Sequence, residues 1–173
     1  MEIQRFTANF PRVQIDAGRL KQPFPFELSH RDWLISISDA AGWPIQVRDP
    51  FAKVFEFFFD DESDPNWPGI MQQSQAVEMA NIIRQAKDQD KNLWVHCTAG
   101  MCRSGAVVEI LGLLGWTIVE GFSPARLPNT HVFKMLRLQF DELKNSWELD
   151  DQMGEKWQFY KNWIDSIPED EPK

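Results

Sequence analysis

The chain has 173 residues, 43% of them hydrophobic, with 13 Phe and 8 Trp, which is enough for the core of one domain and excludes a disordered segment. Lys and Arg number 18 against 26 Asp and Glu, and the resulting net charge of −8 argues against a nucleic-acid or anionic-membrane partner, because both require a basic face. Two cysteines exclude a disulfide framework and point to a reducing compartment, the cytoplasm.

The acidity is localised: residues 141–171 hold ten acids against three lysines, so the rest of the chain is nearly neutral. The N-terminal sequence has no basic stretch followed by an apolar run, and the longest nearly apolar segment, Ile110 to Val119, is about half of the roughly 20 residues that span a bilayer. In chain order, the first 30 residues carry Pro11, Pro23 and Pro25 and read as an irregular cover or a hairpin. Trp33 to Ser38 alternates and is rich in strand formers. Lys53 to Phe59 reads as a second strand, too apolar to expose one face to water. Asp60, Asp61, Asp64, Pro65 and Pro68 then mark a loop. Ala76, Val77, Ala80, Ile83 and Ala86 recur at helical spacing between Gln72 and Lys87. Leu93 to His96 fits a short central strand, and Gly105 to Leu114 a buried helix. Thr130 to Leu143 and Glu155 to Ile167 read as amphipathic helices, the second presenting Trp157, Tyr160, Ile164 and Ile167 on one face. Strands alternating with helices predict an α/β fold with a central, mostly parallel sheet flanked by helices.

One segment carries chemistry: Trp94-Val95-His96-Cys97-Thr98-Ala99-Gly100-Met101-Cys102-Arg103-Ser104-Gly105. It reads as a strand ending in His-Cys, a short loop containing glycine, and Arg-Ser-Gly opening a helix. The backbone N–H groups of such a loop can converge into an anion-binding nest. The helix start adds its own unpaired N–H groups and the positive end of its dipole. Arg103 is suited to grip two oxygens of a phosphate with its planar fork. A cysteine at the bottom of that cup is surrounded by donors and one full positive charge, which favour the nucleophilic thiolate.

His96-Cys97, five residues, Arg103-Ser104-Gly105 resembles the signature loop of the cysteine-dependent protein tyrosine phosphatases, in particular the compact dual-specificity type. Chance occurrence of His-Cys-x-x-Gly-x-x-Arg-Ser in a chain this long is below roughly one in ten thousand. A weaker resemblance runs from about Asp32 to Leu143, and Phe57 to Pro65 looks like the Phe-Asp-Asp segment of a bacterial and phage branch. The resemblance implies a dual-specificity-phosphatase-like fold for a phosphatase core over 31–143; with the irregular cover over 1–30 and an acidic C-terminal helix over 144–173, to which the resemblance does not extend, the chain reads as one domain over residues 1–173. The resemblance also implies roles. Cys97 attacks phosphorus, and Arg103 with the N–H groups of Thr98, Ala99, Gly100, Met101 and Cys102 holds the oxygens. Ser104 assists departure of the thiolate, and His96 orients the loop. The general acid is an Asp beyond the second strand: spacing to Cys97 favours Asp64, position directly after the strand favours Asp61, and Asp61 is the choice here, with Asp60 as the third candidate. No metal or cofactor is needed.

The expected substrate is a phosphorylated protein, phosphotyrosine first, with phosphoserine and phosphothreonine also open. RNA 5′-triphosphatases and phosphoinositide phosphatases use similar loops, but they tend to carry basic residues there, and Thr98 to Cys102 contain none. A phosphate-binding module without turnover is the remaining alternative. The placement of Cys102 before Arg103 resembles the second cysteine of low-molecular-weight tyrosine phosphatases, which implies a reversible disulfide with Cys97 beside the plainer role of an apolar filler. Pro128-Asn129-Thr130 reads as the start and cap of a helix, with support of the signature loop as a second role.

Overall fold

A computed structural model describes residues 6–11, 28–43, 51–98, 101–119 and 127–168. Its described elements are β1 (Phe6–Pro11), β2 (Asp32–Ser38), β3 (Lys53–Phe58), α1 (Gln73–Asp88), β4 (Asn92–Cys97), α2 (Arg103–Leu113), β5 (Thr117–Val119), α3 (Thr130–Arg137) and α4 (Glu148–Ser166). The strands form one sheet in the order β3-β2-β4-β1-β5, and every pairing is parallel. The fold is therefore α/β, as the alternation of elements predicts.

β2 and β4 are buried along their whole lengths. Successive side chains alternate between faces. Trp33, Ile35 and Ile37 of β2 and Leu93, Val95 and Cys97 of β4 enter the main core with Ala76, Met79, Ile83, Val107, Ile110, Phe133 and Leu136 from the helices. Leu34, Ser36, Trp94 and His96 occupy the alternate positions and are buried too. Burial on both faces is what gives a parallel sheet its nearly continuous apolar runs. α2 packs on β1, β4 and β5, α3 on α1 and α2, and α4 on α3. No helix among the described residues is long and apolar enough to cross a membrane.

Four expectations need correction. Residues 6–11 are an inner strand between β4 and β5 rather than part of an irregular cover or hairpin; the rest of the first 27 residues lies outside the described chain. Asn9 and the terminal Pro11 are poor strand formers, and the pairing depends on partners distant in sequence. β3 lies at the sheet edge with Val54 and Glu56 exposed, so one of its faces does meet water despite its apolar composition. α3 stops at Arg137 rather than Leu143, because the chain then tightens into i→i+3 turns (Gln139 N to Leu136 O, Phe140 N to Arg137 O, Leu143 N to Phe140 O) that still bury Phe140 and Leu143. α4 begins at Glu148 rather than Glu155: Glu148, Asp150 and Asp151 sit in its first turn, where carboxylates complement the helix dipole.

The α3–α4 corner closes on Arg137. Its Nε and Nη2 bind Asp150 at 2.8 and 2.6 Å, and its Nη1 donates to the carbonyls of Leu143 and Lys144. Arg137 is buried, so its removal strands Asp150 and two carbonyls. Arg137→Ala is expected to lower the free energy of urea unfolding by about 2–4 kcal/mol. A loss below about 1 kcal/mol would show that the corner is not held by this clamp.

Candidate active site

Ligands of parallel α/β sheets bind beyond the carboxyl ends of the strands, and the signature segment lies there. Cys97 is the last residue of β4, and Arg103 and Ser104 open α2. All three are buried. Sγ of Cys97 lies 3.1 Å from Oγ of Ser104, so the structure joins the expected nucleophile to the hydroxyl expected to assist it. Thr98 is exposed, Met101 is half-buried, and Cys102 is buried at the N-cap of α2. Ala99 and Gly100 fall outside the described residues, and with them the part of the amide nest that they would supply. Both cysteines are thiols.

Arg103 is held by its Nη atoms. Nη1 donates to Oδ1 of Asp39 (2.7 Å) and to the carbonyl of Phe59 (2.8 Å), and Nη2 donates to Oγ1 of Thr98 (3.2 Å). Nε is buried and has no hydrogen-bond partner among the described residues. The guanidinium is thus fixed along one edge, while the Nε–Nη2 edge keeps two donors to offer to an anion. Asp39 was missed by sequence reasoning. The available signal was its position directly after the Trp33–Ser38 strand, at the carboxyl end where sites of this fold class gather.

His96 alternates with Cys97 and faces the other side of the sheet. Its Nε2 lies 2.7 Å from Oγ of Ser36, its register partner on β2, with both residues buried. His96 therefore acts on Cys97 through the backbone they share, which fits an orienting role. Ser36 was a second omission.

The three candidate acids separate by their partners. Asp60 spends both oxygens locally: Oδ2 accepts from the Trp67 indole (2.8 Å) and Oδ1 from the Ala40 amide (2.9 Å). Gly69 lies close beside it, so that a Cβ there would displace the Asp60 carboxylate. Asp64 is exposed and closes a turn on itself, its Oδ1 accepting from Asn66 N and Nδ2. Asp61 is half-buried and turned inward, its Oδ1 accepting from Asn129 Nδ2 at 2.9 Å. The same Nδ2 donates to the Glu62 carbonyl, Oδ1 of Asn129 caps α3 through His131 N and Val132 N, and the Asn129 amide donates to the carbonyl of Cys102. One buried asparagine thus joins the acid loop to the signature loop, beyond the cap that its sequence position suggests. A separate groove of about 260 Å³, lined by Arg84, Leu114, Trp116 and Phe140 among others, holds no nucleophile and none of the signature residues.

The Trp67 indole, then the Ala40 amide, hold the Asp60 carboxyl below its usual value of 3.8, with the Arg103 charge adding to them and partial burial opposing. A depressed folded value means that this carboxylate stabilises the fold fully above its unfolded value and stops doing so as pH falls through the folded one. The stability gap between wild type and Asp60→Asn is therefore expected to be widest near neutrality and to close as pH falls through the carboxylate range, as read by urea unfolding at each pH. A gap that stays constant down to pH ~2 would remove Asp60 from the charged contacts of the loop.

Compared with known families, curated proteins and solved structures, the chain matches no family model, no curated protein and no solved structure.

Proposed function

We propose that the protein is a phosphoric monoester hydrolase of the cysteine-dependent tyrosine or dual-specificity phosphatase kind, acting on phosphoprotein and on phosphotyrosine first. The observation that carries this reading is the buried Arg103. It is pinned through Nη1 and Nη2, its Nε–H has no partner among the described residues, and it lies one residue before the Ser104 hydroxyl that contacts Cys97. A buried unpaired guanidinium donor is costly unless an anion satisfies it. A tetrahedral dianion supplies two oxygens at the spacing of the fork.

The chemistry runs in two displacements. The Cys97 thiolate forms a sulfur–phosphorus bond while the phosphorus–oxygen ester bond breaks, and the leaving oxygen takes a proton from Asp61. Oδ1 of Asp61 is engaged by Asn129, so Oδ2 is the oxygen suited to carry that proton. A water then attacks phosphorus, gives its proton to the ionised Asp61, and displaces Cys97. The Ser104 hydroxyl stabilises the departing thiolate. Arg103 follows the equatorial oxygens throughout, its contacts strengthening where charge gathers in the transition state. Two cysteines that form no disulfide suit a reducing compartment such as the cytoplasm.

Cys97→Ser is expected to reduce p-nitrophenyl phosphate hydrolysis by at least about a thousandfold while retaining binding of inorganic phosphate or vanadate. Wild-type turnover surviving in this variant rules out the sulfur nucleophile. Asp61→Asn is expected to lower kcat/KM for phosphate esters of poor leaving groups by about a hundredfold and for those of acidic phenols much less, because only the former need the proton in the sulfur–phosphorus step. If Asp64→Asn shows that pattern instead, the acid is the exposed residue of the loop.

A further inference from the structure

α4 lies outside the region that resembles the phosphatases, and its acidic composition suggests no more than a solvated cover. Its contacts are more specific. The helix is anchored at its start by the Arg137–Asp150 pair, and Met153 is buried one turn further on. The next turn places Trp157, also buried, with Nε1 donating to Oγ of Ser63 at 3.0 Å. The Lys161 ammonium stands 5.1 Å from the centre of the indole, a cation–π contact that helps fix the ring.

Ser63 is two residues from Asp61. Three consecutive residues of the acid loop are thus tied to the helical layer: Asp61 and Glu62 by Asn129, and Ser63 by Trp157. The start of the loop is tethered as well, where Asp60 accepts from the Ala40 amide and Phe59 from Arg103. We propose that Trp157 is a positioning residue for the acid loop, and that the C-terminal helix sets the placement of the proton donor through the Trp157–Ser63 hydrogen bond. The proposal rests on the reading of Asp61 as the general acid. In physical terms, losing one tether lets the segment sample open arrangements. Proton donation needs the carboxyl within hydrogen-bond reach of the leaving oxygen, whereas attack by Cys97 does not.

Trp157→Phe keeps the ring and removes the donor, and Ser63→Ala removes the acceptor without touching the core. Two measurements read the result on the full chain. Amide hydrogen exchange over residues 60–66 is expected to rise about fivefold in either variant and to rise no further in the double variant, as one lost hydrogen bond requires. Across a series of aryl phosphates, kcat/KM, which reports the sulfur–phosphorus step without the later hydrolysis, is expected to fall about fivefold for the poorest leaving groups and to stay within about twofold for the best. Unaltered exchange in both single variants overturns the clasp. A loss of kcat/KM equal for all leaving groups, or one seen in Trp157→Phe and absent in Ser63→Ala, shows that Trp157 only supports the fold and overturns the positioning role. Failure of the underlying reading is recognised separately. If Asp61→Asn leaves the leaving-group dependence intact, the acid lies elsewhere, while exchange over 60–66 still decides whether the helix holds the loop.

Discussion

The Arg103 guanidinium gathers its partners from the carboxyl ends of three parallel strands. Asp39 is the first residue beyond β2, Phe59 the first beyond β3, and Thr98 the first beyond β4. Because the strands are parallel and in register, their ends lie side by side, and one planar side chain at the start of α2 can reach all three. The Asp39 partner is exposed, so its charge is partly screened by water, and its value here is geometric more than energetic. What the arrangement achieves is a fixed orientation: with Nη1 committed to the protein, the guanidinium can turn only one edge towards a ligand.

The acid loop is organised by a similar economy of buried polar groups. The Asn129 side chain satisfies the start of α3 and holds Asp61 and Glu62, while its backbone N–H binds the Cys102 carbonyl, so one residue joins the two loops. Such a network is worth having only when every member is satisfied, because an orphaned polar group in that setting is costly. Asp60 illustrates the contrast between neighbouring carboxylates. Its two oxygens are spent on Trp67 and Ala40, which makes it an anchor and leaves Asp61 as the candidate acid.

At the opposite end of the sheet a further buried carboxylate, Asp32, accepts hydrogen bonds from Ser29 N and Oγ, Asn92 Nδ2 and Trp94 Nε1. Four donors compensate a charge removed from water, and they tie the starts of β2 and β4 together. The two strands that carry the site are therefore clamped at their beginnings by Asp32 and joined at their ends through Arg103. The core between them is filled by alternating Trp33, Ile35, Leu93 and Val95. Rigidity of this kind keeps Cys97 and Arg103 at fixed separation.

By itself, the sequence determined what depends on short-range order. Alternation and apolar runs located β2, β3, α1, β4 and α2, and the strand–loop–helix sense of the Cys97 segment followed from residues adjacent in the chain. The contact between Cys97 and Ser104 could be anticipated for the same reason. Tertiary structure decided what depends on residues far apart. β1 has no strong local signal and exists because β4 and β5 flank it. The exposure of β3 follows from its place at the edge, which composition does not encode. Asp39, Ser36, Asn129 and Trp157 acquire their roles from partners 64, 60, 68 and 94 positions away, respectively. The choice among Asp60, Asp61 and Asp64 is of this second kind: three similar carboxyls in one loop are equivalent as letters, and only the donors that packing brings to each make one an anchor, one a turn and one the candidate acid.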